Sequence, residues 1–435
     1  MTTDVHNAYL ESLLAGQARL PSGQRSWVNT LRAAALERAH ALTVPTTRDE
    51  DWRFTDLSPL YRLAFRAAAP DPHPVVDLIA PHVIPEAGAR LVFVDGTFIA
   101  ALSSLPVAEG VLVASLAQAI EPHGELIGQH LGTVAGFERD AFAAINTAYL
   151  HDGAVIIAGR NTRVEKPVHV LHVSTQQEVA THPRILVIAE AGAELTLIED
   201  YASTPAGAYC VNALTEIAVG AGARVQHVKL QRDSTAAFHL ATCAASVDRD
   251  GTFVSNATAL GARISRNTFN VALAAAGAQC QLDGLALISG RQLADTHSFV
   301  DHAKPHGTSR QLHKCVVGDA AHAVFNGRVL VRVDAQRTDS AQESRNLLLS
   351  GRAHVDTKPQ LEILADDVKC SHGATVGQLD AEELFYLRSR GLAEQAARNL
   401  LTYGFAAEVV DRIPIPSIVR RLRQVVLEQT RSKDP

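Results

Sequence analysis

A small-residue turn recurs through the middle of this chain, each time at the head of a short apolar run. It appears as Ala191-Gly192-Ala193, Ala221-Gly222-Ala223, Asp250-Gly251-Thr252, Ala276-Gly277-Ala278 and Ser350-Gly351-Arg352. The first four glycines, Gly192, Gly222, Gly251 and Gly277, are nearly evenly spaced. Between them, Val/Ile/Leu runs at 155–157, 168–173, 185–188 and 195–198 follow one another closely, and helical periodicity is nearly absent until about residue 378. Imperfect self-similarity at such a period is the mark of a solenoid, in which each repeat buries its apolar face only against its neighbours. Parallel strands need crossovers. With no helix between the runs, the crossovers must themselves be strands and turns, which describes a parallel β-helix. A two-sheet sandwich is the alternative at this point.

Three regions follow. Residues 1–150 read as an N-terminal helical or α+β region, 151–377 as the β-helix core and 378–435 as a helical C-terminal domain. In the first, 5–15 is a short amphipathic candidate. A second candidate covers 24–42, where Trp27, Leu31, Ala35 and Ala39 keep a spacing of four, Ser26 is placed to cap and Pro45 ends the run. Trp52 and Phe54, inside a polar stretch, read as anchors of a loop on the core. Pro70, Pro72, Pro74, Pro81 and Pro85 mark an irregular wrap, 91–96 a strand entering a turn, and 140–149 a helix. In the tail, Asp380 followed by Glu383 is a capping pattern, and Gly391 is placed to stop the helix. Further helices are expected over 392–411 and 417–429, the second bearing a basic patch with Arg420, Arg421 and Arg423 beside Arg412. A β-helix has open ends whose unpaired backbone invites aggregation. The N-terminal region is expected to cover one end, and the tail either covers the other or leaves it for a partner.

Composition excludes several classes of function. The net charge of -6 gives no support for a nucleic-acid partner. No run reaches the roughly 18 apolar residues of a membrane span. Five cysteines, an odd number without a CxxC pair, point to a reducing compartment, and the start of the chain lacks the pattern of a signal peptide, so a cytoplasmic location is expected. The motifs GxxxxGK[ST], HExxH and GxSxG are absent, as is any GxGxxG between strand and helix or other motif for FAD.

The chemistry on offer concentrates at Cys370-Ser371-His372. Residues two apart on a strand share a face, so Cys370 and His372 present a thiol and an imidazole side by side. That pair suits iron, zinc or persulfide sulfur, yet it is only half of a tetrahedral site. Its remaining ligands must come from elsewhere, such as a second chain. Lys369 and His372 beside Cys370 are expected to favour its thiolate. The other cysteines, Cys210, Cys243, Cys280 and Cys315, read as small apolar fillers stacked on neighbouring rungs. His297, His302 and His306 form a denser histidine group and a weaker metal candidate.

The run KPQLEILADDVKCSHGATVG at 358–377, with LFYLRSRGL at 384–392, closely resembles the SufD family of the SUF iron–sulfur cluster assembly system. DEDWRFTDL at 49–57 and Tyr403-Gly404-Phe405-Ala406-Ala407-Glu408 are similar to that family too. The resemblance implies a right-handed parallel β-helix between helical terminal regions. It implies a subunit without ATPase or other enzymatic activity, in a complex of one SufB, one SufD and two copies of the ATPase SufC. The β-helix would pair with SufB, and helices within 380–410 would bind SufC through Phe385, Tyr386, Arg388, Arg390, Phe405 and Glu408. Cys370 and His372 would lie at the SufB interface and hold a nascent Fe–S cluster, a metal site incomplete without the partner. The chain alone would hold no stable cofactor, and the same edge could form a homodimer when SufB is absent. Leu387 stands where SufB typically carries a cysteine, which favours SufD over its paralogue. The rival reading is a carbohydrate-active β-helix enzyme.

Overall fold

Residues 9–11, 13–14, 25–68, 76–105, 109–204 and 207–429 are described by a computed structural model. The β-branched mid-chain runs form strands, and the short turns between them leave no option but to coil. Along the chain these are β1 (Ala89–Val94), β2 (Ala154–Ala158), β3 (Val168–Ser174), β4 (Arg184–Ala189), β5 (Glu194–Ser203) and β6 (Cys210–Val219). They continue as β7 (Arg224–Arg232), β8 (Phe238–Val247), β9 (Thr252–Ala259), β10 (Ile264–Leu273), β11 (Gln279–Ile288) and β12 (Leu293–His302). The last are β13 (Thr308–Val317), β14 (His322–Val331), β15 (Thr338–Leu348), β16 (His354–Ile363) and β17 (Val368–Gln378). Even-numbered strands line up in one sheet and odd-numbered strands in another, each parallel to the strand two before it. This is a parallel β-solenoid, as expected. From β3 onward its turns are unequal: the shortest brings Ile264 beside Phe238, and the longest brings His354 beside His322.

The repeating corner explains the turn signature. Asn161, Gly192, Gly222, Asp250, Gly277, His306 and Arg337 all have positive φ, between 55° and 74°. Each donates its N–H to the carbonyl one turn on, as Gly192 does to Ala221 and His306 to Gln336. In the turn Asp250-Gly251-Thr252 the left-handed residue is Asp250, not Gly251. Asp and Asn tolerate this conformation through their short polar side chains, so glycine marks only some of the corners.

Inside the coil the side chains stack in dry columns, such as Leu195, Val225, Phe253 and Cys280. The first end is closed by antiparallel strands. Val111–Ser115 pairs with β2, and Thr97–Phe98 pairs with β1. Because β1 already belongs to the coil, the division near residue 150 marks the onset of uninterrupted coiling rather than the start of the sheet.

The N-terminal helices cover the outer face of the even-numbered sheet. They are α1 (Ser26–Ala41), α2 (Leu116–His130) and α3 (Ala141–Ala148). Arg25, not Ser26, takes the N-cap position of α1, with no side-chain cap bond. Asp140 caps α3 by accepting from Phe142 and Ala143. Ala35, Ala39, Phe142 and Ile145 bury Leu214, Phe238, Leu240 and Ile264. Tyr9, Leu10, Leu13 and Leu14 of the 5–15 candidate are buried in the same cluster, while its residues 5–8, 12 and 15 lie outside the described set, as do Pro70, Pro72 and Pro74.

The tail helices are α4 (Ala381–Ser389), α5 (Glu394–Val410) and α6 (Pro416–Gln429). They do not cover the far end of the coil. Instead α5 and α6 lie along its side, where Ala406, Val409, Val410, Ile418 and Leu422 bury Val228, Leu230, Leu285, Leu287 and Val316. Those outward positions of the odd-numbered strands are apolar and demand a cover. The outward positions of β17 are Lys369, Ser371, Gly373, Thr375 and Gly377, and demand none. The basic patch serves this docking: Arg412 pairs with the buried Asp283 at 2.8 Å, and Arg421 donates to the carbonyl of Pro81. No helix among the described residues is long and apolar enough to cross a membrane.

Candidate functional site: the open end of the coil

The coil stops at β16 and β17, and among the described residues no strand pairs with the outer edge of either. Every residue from Ser371 to Val376 is exposed, as is Gly377. Two long, unpaired strands side by side are a template for another chain, and natural proteins usually blunt or cover such edges.

Register places Cys370 and His372 on this end. Cys370 terminates the inward column that runs through Phe253, Cys280, Ser309 and Ser340. His372 terminates the column through His227, Ser255, Leu282, Gln311 and Gln342. The two side chains therefore share a face, as their spacing requires. Cys370 is half-buried against the interior cluster, while His372 is exposed. Beneath them the interior turns polar. The Ser309 hydroxyl lies 2.9 Å from His302 Nε2 and donates to Ser340 Oγ at 2.8 Å. The amide of Gln342, directly under His372, is buried and has no hydrogen-bond partner among the described residues. Such a group normally has one. No third donor among the described Cys, His, Asp and Glu side chains closes on Cys370 and His372.

The thiolate expectation for Cys370 is corrected. Burial raises its pKa, against an opposing backbone hydrogen bond from the Ser340 N–H, and Asp339 adds a smaller rise. Lys369 lies on the opposite, outward face of the strand, so its ammonium does not help. The remaining cysteines are all buried, and burial pushes the thiols of Cys210, Cys280 and Cys315 up to about 12. They fill apolar space but do not form one stack, because strand register sets none of them opposite another. Cys243 pairs with Thr215 and Phe269, and Cys280 with Phe253 and Ser309.

The candidate partner-contact residues of the tail divide into two groups. Phe385, Tyr386, Arg388 and Arg390 lie on or just after α4, which buries no residue, and Phe385 is 72% exposed. Phe405 and Glu408 face the coil instead. Lys314 Nζ sits 4.3 Å from the Phe405 ring centre and 2.5 Å from Glu408, which Arg345 also reaches. These two residues hold α5 to the sheet.

His297, His302 and His306 do not converge. His297 Nε2 lies 3.1 Å from the buried Asp295 outside the coil, His302 faces Ser309 inside it, and His306 occupies a corner. Trp52 anchors its loop: Arg266 stacks over its ring at 4.1 Å, and neighbouring Thr55 donates to Asp295.

Two arrangements were not read from the sequence. One is a charged interior at β5–β8, where Glu199 accepts from Thr215 and meets His227 Nε2 at 3.0 Å and Lys229 Nζ at 3.2 Å. Burial alone would raise the pKa of Glu199, but Lys229, His227 and Thr215 outweigh it and hold the carboxyl well below its usual range. Its signal was present in the alternation of Glu199, Tyr201 and then His227, Lys229, Gln231 on inward positions. The other is a group of His322, His354 and Asp356. Its signal, two histidines one full turn of the coil apart, is legible only once the length of that turn is known.

Comparison with known proteins gives a consistent result. Residues 172–405 match the family model described as SUF system FeS cluster assembly, SufBD core domain, and residues 3–170 match the SufBD protein N-terminal region. The chain is 37% identical to an iron–sulfur cluster assembly SufBD family protein of Synechocystis, over 98% of this chain and 97% of that one. It is 33% identical to the iron–sulfur cluster assembly protein SufD of Escherichia coli, over 92% and 90%. It is 28% identical to SufD of Bacillus subtilis, over 92% and 93%.

Proposed function

Because the chain belongs to the SufBD family of iron–sulfur cluster assembly proteins, we propose that it is the SufD-type, non-ATPase subunit of a SufBCD scaffold. In this reading the open end pairs with SufB by strand augmentation, in which main-chain hydrogen bonds supply affinity and side-chain pockets supply specificity. SufC docks on the tail, with α4 as the contact. ATP-driven closure of SufC then pulls on α4 and α5, and through the Lys314–Glu408–Arg345 cluster on β13 and β15, the two rungs behind the open end.

The observation that carries this reading is the pair of unpaired edges at β16 and β17 with Cys370 and His372 displayed on one of them. The nascent cluster is cargo rather than a resident cofactor. His372, exposed, is suited to contribute a ring nitrogen, and Cys370 a sulfur that becomes a good ligand once a metal replaces its proton. The SufB partner supplies the rest. A cytoplasmic site of action follows from this role, and the same edges account for a homodimer when SufB is scarce. The carbohydrate-active alternative draws no support from the family matched.

Co-purification with SufB and SufC tests the assembly. The substitution Val376→Glu puts a charge on an exposed inward position of β17, and is expected to abolish SufB pairing while SufC binding persists. Phe385→Ala is expected to do the reverse. His372→Ala should leave the complex intact and impair cluster formation in vivo. Unimpaired cluster formation would reject the site, and SufB pairing that survives Val376→Glu would reject the edge.

A further inference from the structure

Away from the open face, on the outer surface of the even-numbered sheet, three ligating side chains converge. His322 of β14 pairs in direct register with His354 of β16. Asp356 lies two residues further along β16 and so on the same face. His322 Nε2 is 2.7 Å and His354 Nε2 3.2 Å from the same oxygen, Asp356 Oδ2. One ligand atom from each residue lies within 4.8 Å of the others. The imidazole centres are 5.0 Å apart. His322 and Asp356 are about one-quarter exposed and His354 is 65% exposed, so the set is reachable from solvent while its carboxylate is sheltered.

We infer that His322, His354 and Asp356 form a binding site for a zinc-class divalent transition metal that clips the terminal strand β16 to β14. Two imidazole nitrogens and a carboxylate oxygen are the donor set of three-ligand zinc sites, with a fourth position left to water. The absence of a thiolate disfavours soft monovalent ions, and the two imidazoles disfavour magnesium and calcium. Two of the three donor separations are close to what an ion needs, and the two imidazole nitrogens, within 4.8 Å of each other, must draw together to match. Zinc–donor bonds of roughly 2.0–2.1 Å in a tetrahedron put donor atoms about 3.3 Å apart. The His354–Asp356 separation already matches. The His322–Asp356 separation must open by about half an ångström, as expected where a shared proton now stands in the place of the metal. Two rotatable bonds in each histidine allow the nitrogens to aim at one point.

The position gives the site a consequence. Among the described residues β16 has only β14 as a strand neighbour in its sheet. An ion held by one residue of β14 and two of β16 ties the edge to the body of the coil. Binding to the folded state alone stabilises it by mass action.

The test uses the full chain, without an affinity tag of histidines, stripped of metal with a chelator. Zinc is titrated against a competing chromophoric chelator, and cobalt is added separately to read coordination by its visible absorption. The expected result is one zinc per chain and a tetrahedral cobalt spectrum. Affinity should fall at least about tenfold in His354→Ala and in His322→Ala. Zinc should also slow amide exchange across His354–Ile363 in the parent chain and not in the variants. His354 is mostly exposed, so His354→Ala is expected to fold as the parent does, and circular dichroism checks this. Absence of stoichiometric zinc binding at micromolar concentration, or binding unchanged in both folded variants, overturns the inference.

Discussion

One buried ion pair ties the segment after α2 and the helix α3 to the coil, and Glu216→Gln should loosen that attachment. Arg184 Nη2 lies 2.5 Å from Glu216 Oε2, and both side chains are at most 1% exposed. The carboxylate also accepts the N–H groups of Gly132 and Ala135, which follow α2, while Arg184 donates to Asn146 and Thr147 of α3. Gln keeps the size and one acceptor oxygen but removes the charge. The loss then comes mainly from leaving the Arg184 guanidinium buried without a counter-charge, about 3–5 kcal/mol. At about 1.4 kcal/mol per decade, that is roughly two to four decades in the local opening equilibrium. Hydrogen exchange at Gly132 and Ala135 reads this directly, with amides of β10 and β11 as internal references. Acceleration below about fivefold, equivalent to about 1 kcal/mol, would refute the reasoning and mean that apolar packing by Phe142 and Ile145 carries the interface. A double substitution, Arg184→Met with Glu216→Leu, should recover part of the loss. It removes both charges but still orphans two backbone donors, at about 1–3 kcal/mol each.

Acid should weaken the fold in two stages. Burial lowers the pKa of His172, His302 and His313 from 6.5 to about 4, so the unfolded chain takes up their protons first. Stability present above pH 6.5 is therefore lost as the pH falls to about 4. Glu199, depressed below its ordinary value of 4.5, adds a second loss at still lower pH. Urea midpoints measured at pH 7, 5.5 and 4.5 check the first stage, and equal midpoints would contradict it. Thiol titration of the native chain should find a single reactive cysteine, abolished by Cys370→Ala, because the other four are sealed in the coil or under the N-terminal helices. Its reaction should be slow near neutral pH, since burial raises that thiol.

The coil was legible because its signal is repetitive. Short β-branched runs with no helix between them admit few other folds, and the corner recurs often enough for the glycine-bearing turns to reveal the period. The corner residue itself was hidden at Asp250, His306 and Arg337, where a side chain tolerates positive φ and leaves no glycine to read. The apolar faces of the tail helices were also legible, but not what they cover. Their partners, Val228, Leu230 and Leu285, sit on outward positions of strands whose other face is buried too. The shared face of Cys370 and His372 was legible because two-residue spacing is local. His322 and His354 were missed because their approach depends on the length of a single turn. That length varies along the coil, from the short step between Phe238 and Ile264 to the long one between His322 and His354.

Amide hydrogen exchange over His354–Ile363 and Val368–Gln378, in the isolated chain and after addition of SufB, tests the open-end account most directly. Outer-edge amides of both strands are expected to exchange freely in the isolated chain at low concentration and to gain protection of at least about tenfold when SufB binds. Protection gained only on the tail helices or the N-terminal region, with both edges unchanged, would contradict the account.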